Sequence, residues 1–459
     1  MAVQVEMRGR AEIAAAVVAA YREWTPGSAA MHEQARRVMP GGDTRTIAFH
    51  APYPLTIERG EGCRLTDVDG HHYVDVLNNY TSLIHGHGHP ALAAAVARQV
   101  PHGTAFAAGF AAQAQLARII SERVASVDLV RFCNSGSEAT MNAVRAARAF
   151  TGRDLIVKME GGYHGTYDDF EVSVHPDLDS PLAGPDHAPR PTLDSAGLPA
   201  NTTQAVLVTP FNDVAAAERL LGERGDEIAA VIVEPVMGAS GMIPAERAFL
   251  EALRALTAER GIVLIFDEVM TFRLAPGGMQ ERYRIRPDLT TFAKIIGGGF
   301  PVGAFGGRAA IMEQYDPMRP VPLWQSGTFN GNAITMVAGV AAMELYTPDE
   351  VARLNALGDR LRAGLRAALV DADVRAEVTG YGSFLNVHFT EGSVRDYRAA
   401  ARGDRALQRL LHIALLLEGV FCAPRLMMCA STPMDEATAD EVVAAFRRAL
   451  ARVEGALPR

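Results

Sequence analysis

The chain of 459 residues contains only two lysines, Lys158 and Lys294; its other 42 basic side chains are arginines. The two residue types serve almost equally on a solvated surface, but only an amine condenses with a carbonyl. Imine chemistry therefore has two side-chain candidates. Lys294 sits in Thr291-Phe292-Ala293-Lys294-Ile295-Ile296-Gly297-Gly298-Gly299. Apolar neighbours favour the neutral amine that Schiff-base formation needs, and the glycines let a flat cofactor approach the backbone. The ordinary reading of a lone lysine is a snorkelling surface residue. Lys158 ends an apolar run ahead of Met159-Glu160-Gly161-Gly162 and is the second choice.

Asp267-Glu268-Val269 follows the apolar run 262–266. A carboxylate at the C-terminal tip of a central strand stands where α/β folds place ligands. It can hold the ring nitrogen of a pyridine cofactor protonated, which makes the ring an electron sink; a metal-binding aspartate and a helix cap are the alternatives. Asn134-Ser135-Gly136-Ser137-Glu138-Ala139 lies between an apolar run and a helical pattern. Its backbone N–H groups and helix dipole suit a phosphate, although for the motif taken alone Ser137 as a plain N-cap is the ordinary reading. Tyr163 could stack on a planar ring or simply pack beside a turn. His85, His87 and His89 alternate with glycines, with no carboxylate or thiol to complete a metal set, so no metal is expected.

The elements that must position these residues alternate between strand and helix. The runs 155–158, 205–208, 230–233 and 262–266 are apolar and largely β-branched, as strands buried on both faces are. Between them a helix is expected with Pro244 in its first turn, Phe249, Leu253 and Leu256 on one face, and Gly261 as its stop. This is a doubly wound α/β pattern. Residues 165–203 break it and read as a functional lid or a disordered insert. The first 50 residues read as a helical arm and 53–76 as short strands. A C-terminal α+β region ends in a helix with Val443, Phe446, Leu450 and Val453 on one face. The domains expected are 1–75, an arm with part of the small domain; 76–345, the large domain; and 346–459, the C-terminal small domain.

A net charge of −9 argues against nucleic acid as a partner. No apolar run reaches the roughly 18 residues of a membrane span, so no membrane association is expected. The Ala/Val stretch after Arg10 reads as helix, not as a signal peptide. Four cysteines without metal-ligand spacing suit a reducing cytoplasm.

Taken in order, 134–139, Tyr163-His164-Gly165, Glu234-Pro235, Asp267-Glu268-Val269, the Lys294 segment and Ser326-Gly327-Thr328-Phe329-Asn330 resemble the class III aminotransferases of pyridoxal 5′-phosphate (PLP) fold type I. The likeness runs from Pro40-Gly41-Gly42 to the C-terminal helix. It implies a large lobe with a mostly parallel seven-stranded sheet covered by helices, and a smaller α+β lobe from the N-terminal segment and the C-terminal region. It also implies PLP as cofactor, Lys294 as its Schiff-base lysine and proton carrier, and Asp267 at the pyridinium. Val269 and Tyr163 would flank the ring, Ser135, Gly136 and Ser137 would hold the phosphate, and Glu234 would belong to the cofactor site. Thr328 would reach the phosphate of a neighbouring subunit, which implies a homodimer with sites at the interface.

Within the class, Pro40-Gly41-Gly42, the 67–70 turn and 267–272 resemble the branch of glutamate-1-semialdehyde aminomutase. The stretches Asp43-Thr44-Arg45-Thr46, Val130-Arg131-Phe132-Cys133 and 423–428 instead are similar to β-amino-acid aminotransferases such as the β-phenylalanine enzymes. Ala239 stands where ornithine and 4-aminobutyrate aminotransferases carry an acidic residue. The expected function is transamination of an amino acid or amine, a β-amino acid in preference, with a keto-acid acceptor. The alternatives are a 2,1-aminomutase and a racemase or epimerase. Arg45 and Arg425 are the candidates for carboxylate recognition, since a guanidinium fork binds carboxylates at two points. Tyr80, with residues 165–203 and the subunit interface, is expected to shape the donor's side-chain pocket.

Overall fold

The computed structural model describes the backbone of residues 2–458, which divides into two compact units. The large unit comprises Pro90–Ala352 with Arg395–Arg398; the small unit comprises the chain up to His89, Arg353–Val394 and the chain from Ala399 onward. The units meet at 89/90 and 352/353, where the sequence reading put 75/76 and 345/346. The continuous helix Pro348–Asp371 spans the second of these junctions, so no loop marks it.

In the large unit, β1 (Leu129–Cys133), β2 (Leu155–Met159), β3 (Val206–Thr209), β4 (Ile228–Val233), β5 (Val263–Asp267), β6 (Leu289–Ala293) and β7 (Gly303–Gly307) form one sheet in the order β1-β7-β6-β5-β4-β2-β3. Every neighbouring pair is parallel except those of β7, which is antiparallel to both β6 and β1. All residues of β4, β5 and β6 are buried, as strands covered on both faces are; β4 and the first four residues of β5 are continuously apolar, while β6 buries Thr290 and Thr291. Because β7 alone is reversed, the other six strands end at one edge. Asp267, Glu234, Lys294 and Ser135 all lie at or just beyond such ends.

Two local expectations change. Pro244 closes a short ladder (Val236–Met237 with Ile243–Pro244), and the helix begins only at Arg247. Its buried face carries Phe249, Leu250, Leu253 and Thr257, with Leu256 half-buried, and Gly261 ends it in the left-handed conformation at φ 64°. Residues 165–203 are no disordered insert. They contain three 3-10 turns and bury Phe170 and Val172. Arg398 fastens them: its Nη1 donates to Gly184 O (3.0 Å) and Asp186 Oδ1 (2.8 Å), its Nη2 to Ala183 O (3.0 Å). Its Nε and Nη2 also form a two-point pair with buried Glu160 (2.7 and 2.9 Å). Breaking such a buried pair from one side costs about 3–5 kcal/mol.

The small unit holds the helices Ala2–Trp24 and Pro26–Ala35 and two small sheets. Strands Ile57–Glu61, Arg64–Asp67 and His72–Asp75 form an antiparallel meander that Val420–Phe421 joins in parallel. Glu377–Thr379, Phe384–His388 and Met427–Cys429 form the other sheet. The last long helix, Glu436–Arg452, buries Val443, Phe446 and Leu450 as its spacing predicts. Two of the alternate histidines bond within the small unit: His87 Nε2 meets Asp75 Oδ2 at 2.7 Å, and His85 Nδ1 meets Thr432 Oγ1 at 3.1 Å.

Candidate active site

Asp267, the last residue of β5, is 4% exposed. Its Oδ1 accepts from the N–H of Val269 (3.0 Å) and Thr291 Oγ1 (3.1 Å), and its Oδ2 meets His164 Nδ1 at 2.8 Å. Local turn, neighbouring strand and a loop from another strand thus fix one carboxylate plane. Burial lowers the pKa of His164 although Asp267 opposes the shift, so the ring is neutral and its one proton faces the carboxylate. Glu268 points the other way and accepts from Thr271 Oγ1 and the N–H groups of Met279 and Gln280 (2.7, 2.8 and 3.0 Å). Of two adjacent acids, only Asp267 faces His164 and Thr291. His164 escaped sequence reading because nothing in Tyr163-His164-Gly165 tells which ring turns inward.

Lys294 follows β6 directly and adopts φ 52°. A left-handed lysine costs about 1–2 kcal/mol, and such strain persists where surrounding structure imposes a functional geometry. Here β6 before it and Ile295, Ile296 and Gly297 after it are buried. Asp267 pairs with Thr291 across the two strands, so amine and carboxylate rise from neighbouring strands at the same edge. Lys158 is different: it is fully buried, with Nζ donating to the carbonyls of Phe170 and Val172. Burial pulls its pKa down to about 8, against Asp194, Glu234 and Glu160. It braces a loop.

The helix Gly136–Thr151 is capped by Ser135, whose Oγ accepts the N–H of Glu138 (3.2 Å), while Glu138 reaches back to the N–H of Asn134 (2.7 Å). The cap is therefore Ser135, not Ser137. Ser137 Oγ instead accepts the N–H of Thr166 (3.1 Å). The N–H groups of Gly136 and Ser137 have no partners within the helix and suit a phosphate. A Cβ on Gly136 would stand 3.3 Å from Val269 and 3.5 Å from Ala293. The helix start, Val269 and the residue before Lys294 thus meet at a place that only glycine leaves open.

Glu234 follows β4 and is 6% exposed. It accepts the N–H groups of Tyr163 and Gly238, both at 3.0 Å. Burial, reinforced by the charge of Asp267, pushes its pKa up to about 8 despite those two N–H groups, so it is mostly neutral at pH 7. Its contact is with the backbone that carries Tyr163, whose ring is 42% exposed. Thr328 is exposed, on a turn closed by the N–H of Asn330 on Gly327 O (3.0 Å).

In the small unit the structure brings Arg45, Tyr80 and Arg425 together. The guanidinium carbons of Arg45 and Arg425 lie 6.0 and 5.8 Å from the Tyr80 ring centroid, within cation–π range. Arg45 Nη1 donates to Asn79 Oδ1 (2.8 Å), Arg425 Nη2 to Met427 Sδ (3.0 Å) and Tyr80 Oη to Ile47 O (2.7 Å). Tyr80 stands in a turn of four left-handed residues, 78–81. That turn is held by Asp75 Oδ1, which accepts the N–H groups of Leu77 and Asn78 (2.9 and 2.8 Å).

The large unit thus offers an amine, a fixed carboxylate, a phosphate cup and a glycine-lined slot, the set that a phosphorylated pyridine aldehyde needs. The family model of aminotransferase class-III matches residues 48–450. The chain is 41% identical over 453 residues to a β-phenylalanine transaminase of Variovorax paradoxus, covering 98% of this chain and 99% of that one. It is 44% identical over 400 residues to a glutamate-1-semialdehyde 2,1-aminomutase of Methanothermobacter thermautotrophicus, covering 87% and 92%. The crystal structure of an ω-transaminase from Sphaerobacter thermophilus superposes with a TM-score of 0.89 at 46% identity, over 93% of this chain and 97% of that one.

Proposed function

Since the chain belongs to the class III aminotransferases, we propose that it transfers the amino group of a β-amino acid to a keto acid such as 2-oxoglutarate or pyruvate. The protein is a PLP-dependent transaminase. Bound PLP supplies an electron sink for the carbon that loses its proton.

The chain's own residues do the rest. Lys294 anchors the cofactor through its amine and, once the donor's amine displaces it, carries the proton at the donor carbon. Asp267, aligned by His164 and Thr291, holds the proton at the ring nitrogen. Ser135, Gly136 and Ser137 take the phosphate; Val269 and Tyr163 flank the ring, with Glu234 fixing the backbone of Tyr163. Arg45 and Arg425 recognise carboxylates, with Tyr80 between them. The protein acts as a cytoplasmic homodimer in which Thr328 of each protomer reaches the other's phosphate. Met318, Val321, Trp324 and Phe329 are all more than half exposed around that residue, an apolar surface that a second copy would cover.

The β-amino acid reading is supported chiefly by the likeness to the β-phenylalanine transaminase along 98% of the chain. The test is a panel of aryl β-amino acids, α-amino acids and carboxylate-free amines with each acceptor. β-Amino acids are expected to give at least about tenfold higher kcat/KM, and equal turnover of carboxylate-free amines overturns the reading. The aminomutase relative motivates a second reading. Nitrogen moving within a single substrate, with no keto acid present, would establish it.

A further inference from the structure

Arg131 has no place in the reaction above, yet its setting is costly. It is half-buried on β1, and among the described residues no carboxylate pairs with it; burial accordingly lowers its pKa. Its Nε donates to Gln325 Oε1 (2.6 Å) and its Nη1 to Tyr315 O (2.8 Å), and its guanidinium carbon lies 5.3 Å from the Tyr315 ring centroid. Gln325 Nε2 donates in return to Phe132 O (3.0 Å). A charge kept half-buried without a counter-ion is destabilising on its own account; what it secures here is the position of Gln325.

The other end of the same loop is tied as well. Asn134 Nδ2 donates to Asn330 Oδ1 (2.8 Å), and the Asn330 amide occupies the space beside Gly327, where a Cβ would stand 2.2 Å from Oδ1. Residues 325–330 are therefore fastened at both ends to residues 131–134, the strand end that runs straight into Ser135. One face of this short strand end borders the chain's own phosphate cup. Its other contacts hold the loop that displays Thr328.

We infer that Arg131, Gln325 and Asn330 are positioning residues that lock the Thr328 loop to the wall of the chain's own cup, so that filling one cup of the dimer further restrains the loop completing the other. The inference rests on the reading of Thr328 as a residue lent to the neighbouring subunit. It makes PLP loading positively cooperative, because the first cofactor prepares part of the second site. Gln325 and Asn330 are assigned no contact with cofactor or substrate and act through the loop.

The experiment titrates PLP into apo-protein, following visible absorbance, for the wild type and for Gln325→Ala, Asn330→Ala and Thr328→Val. The wild type should load with a Hill coefficient above one. Each loop variant should bind about tenfold more weakly with cooperativity lost, while the melting temperature of the apo-protein stays within about 2 °C of the wild type. Mixed dimers supply a readout that a merely structural role would not move. The variant chain also carries Lys294→Ala, so that only the wild-type cup yields the visible band, and that cup should lose affinity. An unchanged wild-type cup overturns the inference. So does tight, cooperative binding by Gln325→Ala and Asn330→Ala when Thr328→Val binds weakly, a result that leaves the dimer reading standing. If Thr328→Val also binds like the wild type, the dimer reading itself has failed.

Discussion

Asp267 is 4% exposed and receives three hydrogen bonds from three separate segments. Arg45 and Arg425 lie at the side of a partly buried tyrosine ring, Arg45 donating to an amide oxygen and Arg425 to a thioether. The first arrangement is rigid because strand ends set it; the second depends on side chains that reach from three places in the chain. The chemistry common to many substrates is built from strand ends. On the proposed reading, the choice among substrates is left to groups that can be exchanged without disturbing the sheet.

The largest effect should come from the rigid cluster. Lys294→Ala should lower kcat by on the order of 10⁴-fold, and borohydride treatment of the wild-type holoprotein should label Lys294. A wild type left unlabelled would break the assignment. The Arg45, Tyr80 and Arg425 cluster should behave otherwise. Arg425→Ala should raise KM for carboxylated donors by about tenfold to a hundredfold, the loss of a charged hydrogen bond, with little change for carboxylate-free amines. An equal loss for both kinds of amine would assign Arg425 to the scaffold and erase the contrast.

The smallest effect concerns Glu234. Its carboxyl is raised from 4.5 to about 8 by burial, so the folded state binds that proton more tightly than the unfolded state. Its contribution to stability is complete below about pH 4.5 and is lost as pH rises toward about 8. Glu234→Gln should flatten this decline in urea unfolding measured between pH 5 and 8. A slope identical to that of the wild type would show the carboxyl to be ionised already.

What the sequence reveals follows the same division. Asp267 is legible because it follows a continuous apolar run, which a strand buried on both faces needs, and Lys294 because it is one of only two lysines and stands between apolar neighbours and three glycines. β7 is not, since Gly303-Ala304-Phe305-Gly306-Gly307 has no β-branched residue. Its glycines answer to close backbone approach, with a Cβ on Gly303 only 2.0 Å from Ser135 O. The capping role passed from Ser137 to Ser135 because two hydroxyls flank one glycine and only φ/ψ decides between them. The Arg45, Tyr80 and Arg425 grouping joins residues far apart in sequence, so only the resemblance pointed to it. The tie between Arg131 and Gln325 spans 194 positions and leaves no local signal.

The burial of Lys158 has a practical corollary. Amine-directed reagents, the usual means of coupling enzymes to beads or dyes, find no lysine on the outer surface to attack. Lys294 is the other lysine in the sequence, and on the proposed reading bound PLP guards it. Loaded enzyme should survive glutaraldehyde-type immobilisation chemistry largely unmodified at its lysines, whereas stripped enzyme should be inactivated by modification of a single amine.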